Sequence, residues 1–470
     1  MFSVSKVALC ALFGAAAAMA VSERDLETVE APRTAHVYLN DRTGPSQHYA
    51  AGFIYGIPDT PNQIPDHFYS DIKFQYTRAG GAQTPESKGW IGGLEDYKFR
   101  WESTLSNYRT ARQHGGRFIL LVHDLWGADS LQPADAPFPG DNGDWAYFDE
   151  FISTLIGDLK SNGATKGLTI DVWNEPNLPS FWNRTQDQYL QMWGRAHALF
   201  KDAFPSTALS GPSFAGTPNP TDNWWLTWAS FVTSNHSLPD EHTWHSLVKS
   251  TTTTENLANY DALLALHGAT RTGPANINEY GHPDEQTPAG GAWWIAQLER
   301  ENMYGLRANW ASAYALHDYL GQLLGKPGAG TDEYERNGTG YWGNAEYAVY
   351  KYYGLELTGE RVRTAATKNG TEDVYATVDY EDRVVRVLAG SRLTTGEWEV
   401  SLEGLSALGL KRNGKVQVRT LEFAGSDDVY ARVDGPIDHG VKVYKYSRDE
   451  LAIPVYQEDT STAWAFEIRF

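Results

Sequence analysis

The sequence predicts an α/β protein, a closed (β/α)8 TIM barrel followed by a small C-terminal β-sandwich. Three observations predict it. Eight short apolar runs recur with amphipathic segments between them over about 290 residues, the usual size of such a barrel. A Gly-rich polar break, GKPGAGTDEYERNGTG, spans 325–340. Beyond it the pattern turns to short strands that alternate at every second residue, with turns every 8 to 12 residues, the mark of a sandwich.

The elements follow in order. Residues 1–20 carry one charge, Lys6, and then an apolar run from Val7 to Ala20 that ends in small residues, which reads as a secretory signal peptide. That run is shorter than the roughly 20 residues a spanning helix needs, so no membrane anchor is expected and the protein is expected to be secreted. Residues 21–35 are polar and acidic and read as a propeptide or flexible lead-in. The barrel is assigned to 36–340, and the last barrel helix with the sandwich to 341–470. The eight strands are expected at 52–57, 72–78, 117–123, 168–174, 207–212, 242–247, 275–280 and 305–310. Between them, Leu94, Tyr97, Trp101, Leu105 and Tyr108 make one apolar stripe at helical spacing; Phe148, Phe151, Ile152, Leu155 and Leu159 make a second, and Tyr189, Trp193, Ala196 and Phe200 a third. Pro58, Pro61 and Pro65 allow only a short or irregular helix after the first strand.

Composition excludes several classes. The 470 residues include 59 acidic and 39 basic side chains, a net charge of -20 with no Lys/Arg-rich run, so a nucleic acid or an anionic membrane is not an expected partner. The sole cysteine, Cys10, falls in the signal, which leaves the mature chain without a disulfide or a catalytic thiolate. Four N-x-S/T triplets, at Asn183, Asn235, Asn337 and Asn369, are candidate N-glycan sites on a secreted surface. His242 and His245 are an odd number apart on a strand and point to opposite faces, so they do not ligate one metal together. The G-x-G-x-x-G at Gly338 to Gly343 follows a polar loop, not a strand, and fails the dinucleotide context; no G-x-S-x-G elbow is present. No metal and no organic cofactor is expected.

The strongest local signal is IDVWNEPNLPSFW at 170–182, an apolar strand that runs into Asn174, Glu175 and Pro176. Alternation turns Asp171, Trp173 and Glu175 inward, at the carboxyl end of the fourth strand, where barrel enzymes hold their sites. Asn174 shares the site only if the backbone departs from strict pleating. NINEYG supplies a second carboxylate, Glu279, at the end of the seventh strand. Two facing carboxyls suit glycosidic cleavage: one, protonated, gives its proton to the leaving oxygen, and the other, ionised, attacks the anomeric centre. If Glu279 points inward, alternation turns Asn276 and Asn278 to the helix layer, where both need partners. A bulge relieves that conflict.

These motifs resemble those of the clan A glycoside hydrolases, and specifically family 39, in its fungal secreted form. VWNEPNLPSFW is similar to the family's acid/base segment and NINEYG to its nucleophile segment. The likeness covers roughly residues 50–325 and suits a sandwich tail. It implies retaining hydrolysis without a cofactor, with Glu175 as acid/base, Glu279 as nucleophile and Asn174 at the sugar 2-hydroxyl. β-Xylosidase is the activity it suggests, with arabinose- or galactose-releasing action as alternatives. Arg78 resembles the clan's arginine near the nucleophile, equally readable as a structural ion pair. His123 and His245 stand where the family places sugar contacts or partners of the carboxylates. Trp126, Trp182 and Trp310 are candidate platforms for sugar faces, although most of the 17 tryptophans must be core. A non-catalytic carbohydrate-binding protein is the competing reading, and paired acids count against it.

Overall fold

A computed structural model describes residues 33–247 and 251–470. The expected signal peptide, Cys10 and most of the expected lead-in lie outside the described residues. The first described element, β1 (Arg33–Pro45), is not part of the barrel. The barrel closes from eight parallel strands: β2 (Gly52–Ile54), β3 (Tyr76–Ala79), β4 (Arg117–Leu121), β5 (Leu168–Asp171), β6 (Ala208–Phe214), β7 (Glu241–Trp244), β8 (Ala275–Tyr280) and β9 (Tyr304–Arg307). Each falls on one of the eight expected runs. Closure is made where Gly52 and Phe53 pair with Leu306 and Arg307.

The three apolar stripes form the helices Leu94–Gln113, Ala146–Ser161 and Gln186–Ala203. They bury the residues expected of them, except that Leu94 at the start of its helix is exposed. Thr185 starts the third by accepting a hydrogen bond from Gln188 N–H, and Thr252 with Glu255 forms a capping box before Thr253–Ala265. The proline-rich stretch yields only the five-residue helix His67–Asp71. The barrel interior is polar near its lower end, where Glu241 accepts from Arg117 and Asn276.

Two short strands, β10 (Leu324–Gly325) and β11 (Trp342–Gly343), pair across the Gly-rich break, and the last barrel helix is Ala345–Leu355. The C-terminal part adds β12 (Glu360–Ala365), β13 (Glu372–Asp379), β14 (Val384–Ser391), β15 (Gly396–Glu403), β16 (Gly414–Phe423), β17 (Ile437–Tyr446), β18 (Glu450–Gln457) and β19 (Ala463–Arg469). They form one nine-stranded, mostly antiparallel sheet in the order β17-β16-β19-β14-β13-β12-β1-β15-β18. Its inner face packs Val37, Val387, Trp398, Val418 and Ile453 into a core of its own. The domain boundaries need correction here. β1 lies between β12 and β15, so residues 33–35 are strand rather than lead-in, and the barrel begins at Gly52 rather than at residue 36.

Helix Pro288–Glu301 joins the two parts by packing on β13 and β14. Gly390 lets them approach: a Cβ there would sit 2.4 Å from Ala289 O. Polar bonds lock the seam, Arg361 to Glu299 at 2.9 Å, Gln297 to Asp373 at 2.6 Å and Arg392 to Glu285 at 2.6 Å.

Candidate active site

At the carboxyl ends of the strands lies a cavity of about 370 Å³, lined among others by Tyr55, His123, Asn174, Glu175, Glu279 and Trp310. β5 stops at Asp171, and strict alternation stops with it. Asp171 faces the interior as expected, but Trp173 turns aside into an aromatic cluster with Phe138 and Trp182. Glu175 reaches the cavity from a left-handed backbone (φ 40°), held by its N–H to Ser213 O at 2.9 Å. The same departure from pleating lets Asn174 enter.

On β8, pairing with β9 shifts register between Ile277 and Tyr280. This bulge resolves the conflict over the two asparagines, and it corrects their placement. Asn276 and Asn278 face the barrel interior, where Asn278 donates to Asp171 and Ser213, while Tyr280 points outward to Tyr350. Glu279 sits on the bulge itself and turns into the mouth.

Arg78 binds these parts together. Fully buried on β3, it donates from Nε to Asp171 at 2.9 Å, from Nη1 to Glu279 at 2.8 Å and from Nη2 to Asn174 at 2.8 Å. His245 lies beneath the carboxyls with Nδ1 2.9 Å from Glu175 Oε1 and 3.7 Å from Glu279 Oε2. One oxygen of each glutamate and one nitrogen of His245 lie within 4.8 Å of one another. His242, by contrast, faces outward to the Tyr260 hydroxyl. The donor set does not suit a metal: the guanidinium already bonds Glu279 and would repel a second cation.

Burial pushes the Glu175 carboxyl up to about 7, against the pull of Arg78 and His123. Burial raises Glu279 too, but there the charge of Arg78 and its direct hydrogen bond oppose the rise. The pair therefore keeps one proton readily, and the guanidinium places the negative charge on Glu279. Burial lowers His245 to about 4, so it is neutral at neutral pH.

Of the remaining candidates, His123 lines the cavity with Nε2 2.9 Å from Asp124 Oδ1. Trp310 stands on the rim, 43% exposed, its indole N–H bonded to Gly281 O. Trp126 and Trp182 are not platforms. Trp126 is buried against Tyr147, Phe148 and Phe151 with its N–H on Pro137 O, and Trp182 is buried with its N–H on Thr185 O. Sequence reasoning missed Tyr55 and Asp124. The Tyr55 hydroxyl donates to Asp124, and although burial acts to raise that carboxyl, His123 and Tyr55 hold it below its usual range. Asp124 directly follows His123, the one signal that pointed to it. All four N-x-S/T asparagines are exposed.

Fold and site together define a (β/α)8 barrel with a companion β-sandwich and two carboxyls facing across its mouth. Among solved structures, N2152 from Neocallimastix frontalis is 21% identical over 93% of this chain and 99% of that one, with a TM-score of 0.72. The GH39 enzyme from Xanthomonas axonopodis pv. citri is 14% identical over 95% and 99%, with a TM-score of 0.58. A monomeric beta-xylosidase from Caulobacter crescentus CB15 is 15% identical over 93% and 99%, with a TM-score of 0.56. At these identities the likeness establishes the fold. No protein-family model and no curated protein matches the sequence.

Proposed function

We propose that the protein is a secreted retaining glycoside hydrolase, β-xylosidase-like, acting on plant cell-wall or related saccharides by double displacement. The observation that carries this reading is the spacing of the two glutamates, whose nearest oxygens lie within 4.8 Å with Arg78 on one and His245 on the other. Retention uses carboxyls roughly 5 to 5.5 Å apart, and inversion needs roughly 6.5 to 9.5 Å to admit a water. The glycosidase names of solved structures with this fold support the same class.

In the first step a Glu279 oxygen bonds to the anomeric carbon as the glycosidic bond breaks, and Glu175 gives its proton to the departing oxygen. His245, neutral, donates from Nδ1 to Glu175 Oε1, which leaves the proton on the other oxygen. In the second step Glu175, now ionised, takes a proton from water while the water oxygen displaces Glu279 from the sugar, and both carboxyls return to their starting state. The balance is one glycosidic bond and one water consumed, two hydroxyl-bearing products released.

The test is turnover of 4-nitrophenyl β-xyloside, α-arabinofuranoside and β-galactoside, with proton NMR of the first-formed anomer. Retained configuration, lost on Glu279→Gln, is expected. An inverted product, or saccharide binding with no turnover of these or of xylan and arabinogalactan, refutes the reading.

A further inference from the structure

Glu279 owes its place partly to a residue that never reaches the cavity. Asp171 is fully buried at the end of β5, and both of its oxygens are engaged. Arg78 Nε and Asn278 Nδ2 each donate to Oδ2 at 2.9 Å, and the Ser213 hydroxyl lies 2.9 Å from Oδ1 and 2.8 Å from Oδ2. Ser213 is fixed in turn, its N–H on Thr243 Oγ1 at 3.0 Å and Asn278 Nδ2 2.8 Å from its hydroxyl. Residues of β3, β6 and β8 thus converge on one carboxylate of β5, and Thr243 of β7 holds one of them in place.

We propose that Asp171 is a positioning residue: it fixes the rotation of the Arg78 guanidinium so that its two outer nitrogens meet Glu279 and Asn174. This rests on the glycosidase reading above and deepens it. A guanidinium is a planar fork, so holding Nε in one direction sets the directions of Nη1 and Nη2. Without an anchor, a side chain with four rotatable bonds has no reason to keep both outer contacts. The anchor is also a charge. One cation lies between Asp171 and Glu279, and taking away the Asp171 charge leaves the field of Arg78 to act unshared on the glutamates.

The charged and titratable groups that face this centre are Tyr55 from β2, Arg78 from β3, and His123 and Asp124 after β4. Glu175 follows β5, Tyr189 approaches Asp171 from helix Gln186–Ala203, His245 follows β7 and Glu279 ends the set on β8. Arg78 is the cation bonded to Glu279, so loss of the Asp171 charge moves both carboxyls toward ionisation.

Three variants of the full chain test this. Asp171→Ala removes anchor and charge: kcat is expected to fall about 100-fold with KM within about threefold, the usual cost of a misplaced group near the chemistry. Its crystal structure is expected to show Arg78 away from Glu279. Asp171→Asn keeps an acceptor but not the charge, and the basic limb of the pH profile is expected to move down by about one unit. Ser213→Ala, a small change that leaves the charge, is expected to lower kcat by about tenfold without moving the limb, and it carries the test if Asp171→Ala does not fold. The proposal is overturned if folded Asp171→Ala keeps the Arg78–Glu279 contact and wild-type kcat, if the Asp171→Asn limb stays in place, or if Ser213→Ala turns over like wild type. Wild-type turnover that survives Glu279→Gln, or no glycoside turnover by the wild type, would instead refute the double-displacement reading, while the Asp171→Ala crystal structure still reports on Arg78.

Discussion

Raising the pH on this site removes the proton from Glu175. Its carboxyl moves from 4.5 to about 7 on burial, a preference for the neutral form of about 3 kcal/mol at 1.36 kcal/mol per unit. Above pH 7 the protonated fraction falls about tenfold per unit, so at pH 9 about one molecule in a hundred can protonate a leaving group. The assay is kcat/KM from pH 5 to 9 for two substrates. A 4-nitrophenyl glycoside is expected to lose rate along that limb, and a 2,4-dinitrophenyl glycoside, whose leaving group needs little protonation, to lose much less. Glu175→Gln abolishes the limb together with most of the turnover of the first substrate. Stability follows with a definite sign. A raised carboxyl favours the folded state fully below 4.5, and that contribution is lost as pH rises through 7. Thermal unfolding of Glu175→Gln is therefore expected to depend less on pH between 5 and 8 than that of wild type. A limb centred near pH 5, or one unchanged in Glu175→Gln, would refute the reasoning.

Other expectations follow from the same structure. Glu279→Gln should reduce turnover to below about one-thousandth while the melting temperature stays close to wild type. His245, lowered to about 4 by burial, favours the folded state above 6.5 and loses that contribution as pH falls through 4, so His245→Gln should unfold less steeply in thermal scans over that acid range. Trp126→Ala should cost about 3 to 5 kcal/mol in denaturant unfolding, whereas Trp310→Ala on the rim should stay within about 0.5 kcal/mol and raise KM instead. Arg361→Met strands the buried Glu299 at the seam and should cost about 3 to 5 kcal/mol, read by the same titration.

The barrel was legible because its signals are local. Each β-strand is a short apolar run, each helix a stripe, and Glu175 and Glu279 stand in plain view just beyond β5 and near the end of β8. The features that escaped are set by distant partners. Asn278 faces inward because β9 imposes a bulge on β8, which nothing within NINEYG encodes. The inward run Ala35, Val37 and Leu39 is visible in β1, but its neighbours β12 and β15 lie more than 300 residues on. Trp126, Trp182 and Trp310 all follow strand ends, and only the folded loops decide which indole meets solvent. Asp171 looked like one more inward residue; its weight comes from partners on three other strands.

The placement of β1 has a consequence for how the chain can be divided and assembled. The barrel is, in effect, an insertion between two adjacent strands of the sheet that flanks it. During synthesis the opening strand must wait, unpaired on both edges, until the last quarter of the polypeptide arrives. A fragment that starts after the barrel would lack an interior strand and leave β12 and β15 with exposed edges ready to recruit a foreign one. Expressing the tail alone should therefore yield aggregates or exchanged dimers, and supplying residues 33–45 as a separate peptide should restore a monomer.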